Sequence, residues 1–487
     1  AIGRWPFYLI NKVLRVTDFE PFLLDFIAVL FMVVAAILFS ALIRYVVNYD
    51  ISIFCYIIFS VLFVTYSLVA EIFIFYLQNG VPIIYCLVAI ALFIFYYAQT
   101  IEVKKNEKIK GIICASLIMC VAIGFYESAA NLFLFGAFLM MLGDFVSANR
   151  LELNTFKNCF ATVFLMVRIL IYGIVARSIM TKLCMWIFGI VPHEVRSMGQ
   201  VLGIIEYPGR ILTILKQIIR DYFIVGIEYY PIMLFVIATV MFFCGVFFAW
   251  VKKKSVYVLL IGLATYASLF VLSFFQGDAV PYRANQMAAI FVAFTFFVLS
   301  YFVIRTPSIL PRSIGILLLI SVVYNSIYDL NQWFAFDYKR NQIELDVIHQ
   351  VAHELETGGF DIENKPVVFV GEYRTDVAVL EECSLEYGSL EYELVKTINE
   401  SMEEKTPTLY PYVQVLPDSL INWGMEAFYI YEGYNREMIR IFEKAGYSLI
   451  YGGNELYQKG MARITDQERY PVEGYIKEYY DCIIVRF

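Results

Sequence analysis

From Pro21 to about Leu330 the chain is one apolar stretch after another, each closed by a short polar turn. A helix needs about 20 apolar residues to cross some 30 Å of hydrocarbon. The pattern predicts spans near residues 21–46, 51–76, 81–99, 111–126, 128–148, 158–179, 222–250, 256–275, 286–305 and 313–330, about ten in all. LCMWIFGIV (183–191) is too short to cross and reads as re-entrant or interfacial. Two further stretches have the one-sided pattern of helices lying in the membrane surface. GRILTILKQIIRDYF (209–223) gathers Ile211, Leu212, Leu215, Ile218 and Ile219 on one face, with Arg210, Lys216, Arg220 and Asp221 elsewhere. WPFYLINKVLRV (5–16) is the second.

Near Tyr338 the composition turns soluble. RNQIELDVIHQVAHEL (340–355), YELVKTINESM (392–402) and NREMIRIFEKAGY (435–447) read as helices, whereas KPVVFVGEY (365–373) and DCIIVRF (481–487) read as strands, the first buried and ending at a glycine. Strands alternating with helices imply a small α/β unit. The fold class is therefore a polytopic α-helical membrane domain over residues 1–337 followed by a soluble α/β domain over 338–487.

Charge orients this layout. Lys104, Lys105, Lys108 and Lys110 share one loop and Lys252, Lys253 and Lys254 another; Arg44, Arg150, Lys157, Arg305 and Arg312 fall on the same side if the spans alternate. Lys/Arg-rich loops stay in the cytoplasm. Residues 1–20, the turns at 77–81 and 126–128, the loops at 180–221 and 276–285, and the tail after Leu330 then lie outside. The chain begins at Ala1 without Met or a signal peptide, and a further helix before it is expected to start in the cytoplasm. The net charge of −7 comes largely from the last third and gives no ground for a nucleic-acid partner. Of nine cysteines, seven lie in apolar stretches, where they act as small hydrophobes. No Cys/His spacing suggests a metal. Cys383 and Cys482, in the soluble part, are left open as a pair.

The charges that break the apolar pattern gather at the outer level. Arg4 and Trp5 precede the first span, as do Asp18 and Glu20, and Asp25 enters its first turn. Glu71 lies one to two turns from the outer end of the second span, and Glu127 sits at an outer turn. His193, Glu194 and Arg196 lie in the large outer loop, Glu228 near the outer start of its span, and Asp278 and Arg283 in QGDAVPYRANQ. Arg168 is mid-span. Ionisable groups at membrane depth are costly and mark function by default. A lipid-linked phosphate donor suits such a rim: arginine holds the phosphate and stabilises it as a leaving group, and a carboxylate takes a proton from an acceptor hydroxyl. Glu71 and Glu127 are the candidate catalytic carboxylates; Arg4, Trp5, Arg168, His193, Asp278 and Arg283 are the candidate substrate-binding residues. A bland role stands beside several, including Arg283 after Pro281 as an interfacial anchor. Asp18, Glu20 and Glu127 can be helix-start charges, Glu71 can pair with Arg168 inside the bundle, and His193 can be structural.

GRW (3–5), SLVAEIFIF (67–75) with Glu71, and PYRANQ (281–286) with Arg283 resemble passages of bacterial GT-C membrane glycosyltransferases, most closely the GtrII-type glucosyltransferase family. KPVVFVGEY and YPVEGYIKEYYDCIIVRF (470–487) are similar to C-terminal regions of Gram-positive members. The resemblance implies an inverting transfer of glucose from a polyprenyl-phosphate (undecaprenyl-type) carrier to an extracytoplasmic glycan of the cell envelope, in a multi-pass membrane protein needing no cofactor. It also implies an acidic motif in a first outer loop, expected upstream of Ala1. Two other readings compete: a transporter or flippase of a lipid-linked glycan, which predicts internal repeats or helices broken at the midplane, and a scaffold whose tail is the working part.

Overall fold

Inside lipid a backbone can satisfy its polar groups only as a helix or a closed barrel, and long apolar runs without interior proline become helices. The computed structural model describes residues 4–14, 21–47, 50–74, 80–100, 104–147, 149–189, 207–224, 232–276, 284–371, 373, 397, 420–426 and 435–487. The helices of the first part are α1 (Trp5–Leu14), α2 (Pro21–Val47), α3 (Ile53–Thr65), α4 (Leu68–Ile74), α5 (Val81–Gln99), α6 (Lys105–Phe125) and α7 (Ala129–Val146). They continue with α8 (Phe156–Phe188), α9 (Tyr207–Ile219), α10 (Ile232–Lys253), α11 (Val256–Ser268), α12 (Val271–Gln276), α13 (Met287–Arg305) and α14 (Ile309–Thr357). Among the described residues, 8 helices are long and apolar enough to cross a membrane. This is a polytopic helical membrane protein. Its prolines respect the helices: Pro82 sits in the first turn of α5, where its missing N–H costs nothing.

Three features depart from the sequence reading. α8 runs unbroken for 33 residues, so most of the stretch taken as re-entrant is its last turns. Nothing interrupts it before Gly189, which ends it in the left-handed conformation at φ 64°, a geometry that favours glycine. α14 is continuous for 49 residues, so the boundary expected between residues 337 and 338 falls inside a helix. Leu319 belongs to the core of the bundle, and Val347, Ile348, Val351 and Leu355 to a second, separate core.

The third departure is that two apolar stretches expected as single spans are each broken, after 13-residue helices, into α3/α4 and α11/α12. Neither break contains proline or glycine. At the first, the Ser326 hydroxyl of α14 donates to the Thr65 carbonyl at 3.0 Å and accepts from the Thr65 hydroxyl at 3.1 Å. A side chain inserted into the helical ladder is a recognised cause of such breaks, and here it satisfies a carbonyl that has lost its partner. At the second, the Ser268 hydroxyl donates to the Thr265 carbonyl at 2.6 Å.

Packing sets the inner and outer faces. α5 packs between α2 and α6, α8 against α6, and α13 against α3. Phe156, Phe160 and Phe164 stack along the exposed side of α8, at 5.9 and 6.3 Å, as a lipid-facing ladder would. α9 has its polarity inside out: Ile211, Leu212, Leu215 and Ile219 are exposed, while Thr213, Gln217 and Arg220 are buried with Ile214 and Ile218. Only lipid rewards such a face, as expected of a surface helix; Ile218, assigned to the outer stripe from sequence, turns inward. Lys104, Lys105, Lys252 and Lys253 lie at the helix ends opposite to Glu127 and Gly80. At that basic end the buried Asp144 accepts from the Tyr96 hydroxyl at 2.7 Å and from the Arg150 and Leu151 N–H groups at 3.0 Å each.

Beyond the bundle, β1 (Val367–Val370) pairs in parallel with β3 (Ile483–Arg486), which pairs antiparallel with β2 (Ile476–Glu478). α15 (Leu420–Glu426), α16 (Arg436–Lys444) and α17 (Gly453–Arg463) accompany this sheet. The expected strands and the helix at 435–447 are present; of the helix expected at 392–402 all but Thr397 lies outside the described residues. β1 ends at Gly371, φ 104°, where a Cβ would collide with the Phe487 backbone oxygen. Cys482 carries a free thiol, and Cys383 lies outside the described residues.

Ser326→Ala should lower stability by about 1–3 kcal/mol, the cost of stranding a buried acceptor, read as a lower unfolding midpoint of the detergent-solubilised protein. An unchanged midpoint would show that the α3/α4 break holds itself.

Candidate functional site

The end of the bundle opposite the lysines is built from three pieces. α1 packs against α6 and α8, held by Tyr8 edge-on to Phe188 at 5.3 Å and by Lys12 over the same ring at 4.2 Å. Its start meets the α6–α7 turn. The Arg4 guanidinium lies 4.5 Å from the centre of the Tyr126 ring. The Trp5 indole nitrogen stands 2.8 Å from where a Cβ on Gly124 would be, so the close approach of α1 requires glycine there. From α8, Arg177 reaches the next residue of the turn, and its Nη2 lies 2.6 Å from Glu127 Oε1. The pair is open to solvent, with side-chain exposures of 21% and 47%, and such pairs contribute only about 0.2–1 kcal/mol.

Polar atoms around this junction are left without partners. Arg4 Nε, Trp5 Nε1, Arg177 Nε and Ser128 Oγ are buried and have no hydrogen-bond partner among the described residues. All four can donate. One turn along α7 from Ser128, Asn131 Oδ1 is also buried and unpartnered, as is Asn285 Oδ1 at the start of α13. These two accept. The Asn285 amide donates to the Tyr222 hydroxyl, the Asn131 amide contacts the Met287 sulfur at 3.6 Å, and the Tyr85 hydroxyl donates to the Gln286 carbonyl at 3.1 Å. Arg220 and Tyr222, in a π-helical turn (Arg220–Ile224) that continues α9, are buried in the same region. Buried polar atoms in native proteins nearly always have partners. Orphan donors at the α6–α7 turn, with orphan acceptors one turn along α7 and at the start of α13, suit a ligand that accepts at one end and donates at the other.

The residues singled out from sequence fare differently. Arg4, Trp5 and Glu127 meet at this junction. Glu71 lies on α4, beside Ala70, which packs against Leu330 and Trp333; its side chain is outside the described residues, as are His193, Asp278 and Arg283. Arg168 lies along its own helix, its Nη2 3.3 Å from the Tyr172 hydroxyl and its guanidinium 5.6 and 5.9 Å from the Tyr172 and Phe164 rings. It thus departs from the expected inward pairing. Nine residues separate it from Arg177, which at 3.6 residues per turn puts the two on opposite faces of α8. That spacing, together with the nearness of Arg177 to the predicted span end at 179, was the available signal for the arginine that sequence reasoning passed over. Ser128 and Asn131 gave none, being uncharged; Asn285 lay in PYRANQ beside Arg283, where the charge drew attention away from it.

A family model described as glucosyl transferase GtrII matches residues 1–302, which takes in the bundle through most of α13 and leaves α14 and the α/β unit outside. No curated protein and no solved structure matches the chain.

Gly124→Ala should drive Trp5 and Pro6 away from α6, since the new methyl would stand 2.8 and 2.9 Å from them. Overpacking of this kind costs about 1–3 kcal/mol. Trypsin should then cut after Lys12 about tenfold faster or more, with helix content unchanged; an unaltered rate would mean that α1 is not seated by this contact.

Proposed function

The chain belongs to the GtrII glucosyl transferase family, and from that premise we propose that it moves glucose from a polyprenyl-phosphate carrier to a glycan of the cell envelope, in the manner of GT-C enzymes. The reaction would occur at the membrane face opposite the Lys/Arg-rich loops, and the charge asymmetry supports reading that face as the outer one. The observation that carries this reading is the set of unpartnered donors at Arg4, Trp5, Ser128 and Arg177, with unpartnered acceptors at Asn131 and Asn285 on the neighbouring α7 and α13. A glucosyl phosphate is a ligand of that description: its phosphate oxygens accept and its sugar hydroxyls donate.

The chemistry asked of the site is one displacement. An acceptor hydroxyl attacks the anomeric carbon, the bond from that carbon to the phosphate oxygen breaks, and the configuration inverts. The electron pair leaves with polyprenyl phosphate, whose charge Arg4 and Arg283 stabilise. The hydroxyl proton passes to a carboxylate, Glu71 or Glu127. The exposed apolar face of α9 would border the isoprenoid tail, and the α/β unit, carried on α14 to the same end of the bundle, would bind the acceptor glycan. The breaks in α3/α4 and α11/α12 bear on the transporter reading. Discontinuous helices of transporters bind substrate near the midplane, whereas 13 helical residues from the basic end reach roughly 20 Å, past the middle of a ~30 Å layer. Nothing in the family match favours transport.

Membrane vesicles supplied with labelled polyprenyl-phosphate glucose should transfer the sugar, and Glu71→Gln and Arg283→Ala should each reduce transfer about 100-fold or more. Active wild type with both variants equal to it would refute the assignment of these two residues.

A further inference from the structure

The ion pair between Arg177 and Glu127 has a property that a purely structural pair does not need: its arginine is incompletely used. Arg177 gives Nη2 to Glu127 at 2.6 Å while its buried Nε has no partner. The unused donors of Arg4, Trp5 and Ser128 belong to the same junction, because Arg4 lies over Tyr126 and Trp5 against Gly124, within three residues of Glu127. A carboxylate on an arginine occupies the position in which a phosphate oxygen binds, and a phosphate offers a third oxygen to neighbouring donors. Glu127 is also the more exposed member of the pair, at 47% against 21%, so it can swing into water when displaced.

We propose that Glu127 is an internal stand-in for phosphate: it holds Arg177 at the rim until the phosphate of an isoprenoid-phosphate lipid takes its place, and Arg177 then becomes a donor-phosphate residue. The inference rests on the proposed donor. It makes Arg177 a specificity element for phosphate and Glu127 a competitor that keeps the site selective, since a weakly bound anion must first displace a tethered carboxylate. Displacement also leaves the Glu127 carboxylate free beside the bound lipid, where it is available as a proton acceptor only once the donor is seated.

The two partners therefore have opposite expected effects on binding, which a mutual structural support would not produce. Binding of polyprenyl phosphate, without sugar, is measured on the full chain in nanodiscs. Arg177→Ala should weaken it about ten- to a hundredfold, the usual consequence of removing a charge-assisted bond, and Arg177→Lys less so. Glu127→Gln should tighten it several-fold, and should have no further effect in the Arg177→Ala background, as a double-mutant cycle reads out. Weakening by Glu127→Gln comparable to Arg177→Ala, or no change from either, overturns the proposal. The same opposite responses with inorganic phosphate or with phosphatidylglycerol vesicles would make this a general phosphate site and overturn the donor assignment. If wild type transfers glucose yet shows none of these responses, this inference fails while the proposed function stands. If wild type neither binds polyprenyl phosphate nor transfers sugar, both fail.

Discussion

A polar group in hydrocarbon has no water to fall back on, and each one must be answered by the protein or by a ligand. In this bundle Ser326 answers the carbonyl freed where α3 stops, bonding to Thr65 at 3.0 Å. The buried Asp144 answers two N–H groups of the loop after α7. Where the answer is missing, at Arg4, Trp5, Ser128, Asn131, Arg177 and Asn285, the atoms lie toward the end of the bundle opposite Asp144. An apolar bundle made only to fold would have no reason to bring them there.

The same constraint shapes the elements around that end. α8 continues to Phe188 because α1 lies against its last turns, with Tyr8 and Lys12 on Phe188. Arg177 is thereby fixed on a helix and not on a loop, which favours a defined position for its guanidinium. α9 shows lipid its isoleucines and leucines and keeps Gln217 and Arg220 inside, so a lipid tail and a polar head could each find its own surface across one helix. The breaks in α3/α4 and α11/α12 let short segments end near this level without leaving their freed carbonyls bare.

Much of this was legible in the chain, and for a physical reason. Span length and Lys/Arg placement are read against a slab of fixed thickness, so α2, α5, α7 and α13 fall close to where hydropathy puts them, whereas α10 starts ten residues into the span expected at 222–250, whose first residues continue α9. The strands at 367–370 and 483–486 follow from short β-branched runs beside glycine and turn residues. What hydropathy could not carry was continuity. A serine 261 residues away in sequence from Thr65 decides where α3 ends, and α14 passes from lipid into the α/β core without a local signal at Tyr338. Of the site, Arg4, Trp5 and Glu127 were visible as charge or as motif. Arg177 sat in plain view but was hidden by Arg168, the more unusual arginine by depth and the one on the wrong face.

That exchange of arginines shows how far charge alone can be trusted at a membrane rim. Depth argues that an ionisable residue needs a partner; it does not say on which side of the helix the partner lies. Arg168 meets its need locally, against Phe164 and Tyr172, by cation–π contact along its own helix, a solution that asks nothing of the bundle. Arg177 takes a carboxylate from another helix turn and still has a donor to spare. An arginine that remains under-used next to other under-used donors is a stronger pointer to a bound anion than an arginine that is merely deep, because the first leaves a cost that a bound anion removes.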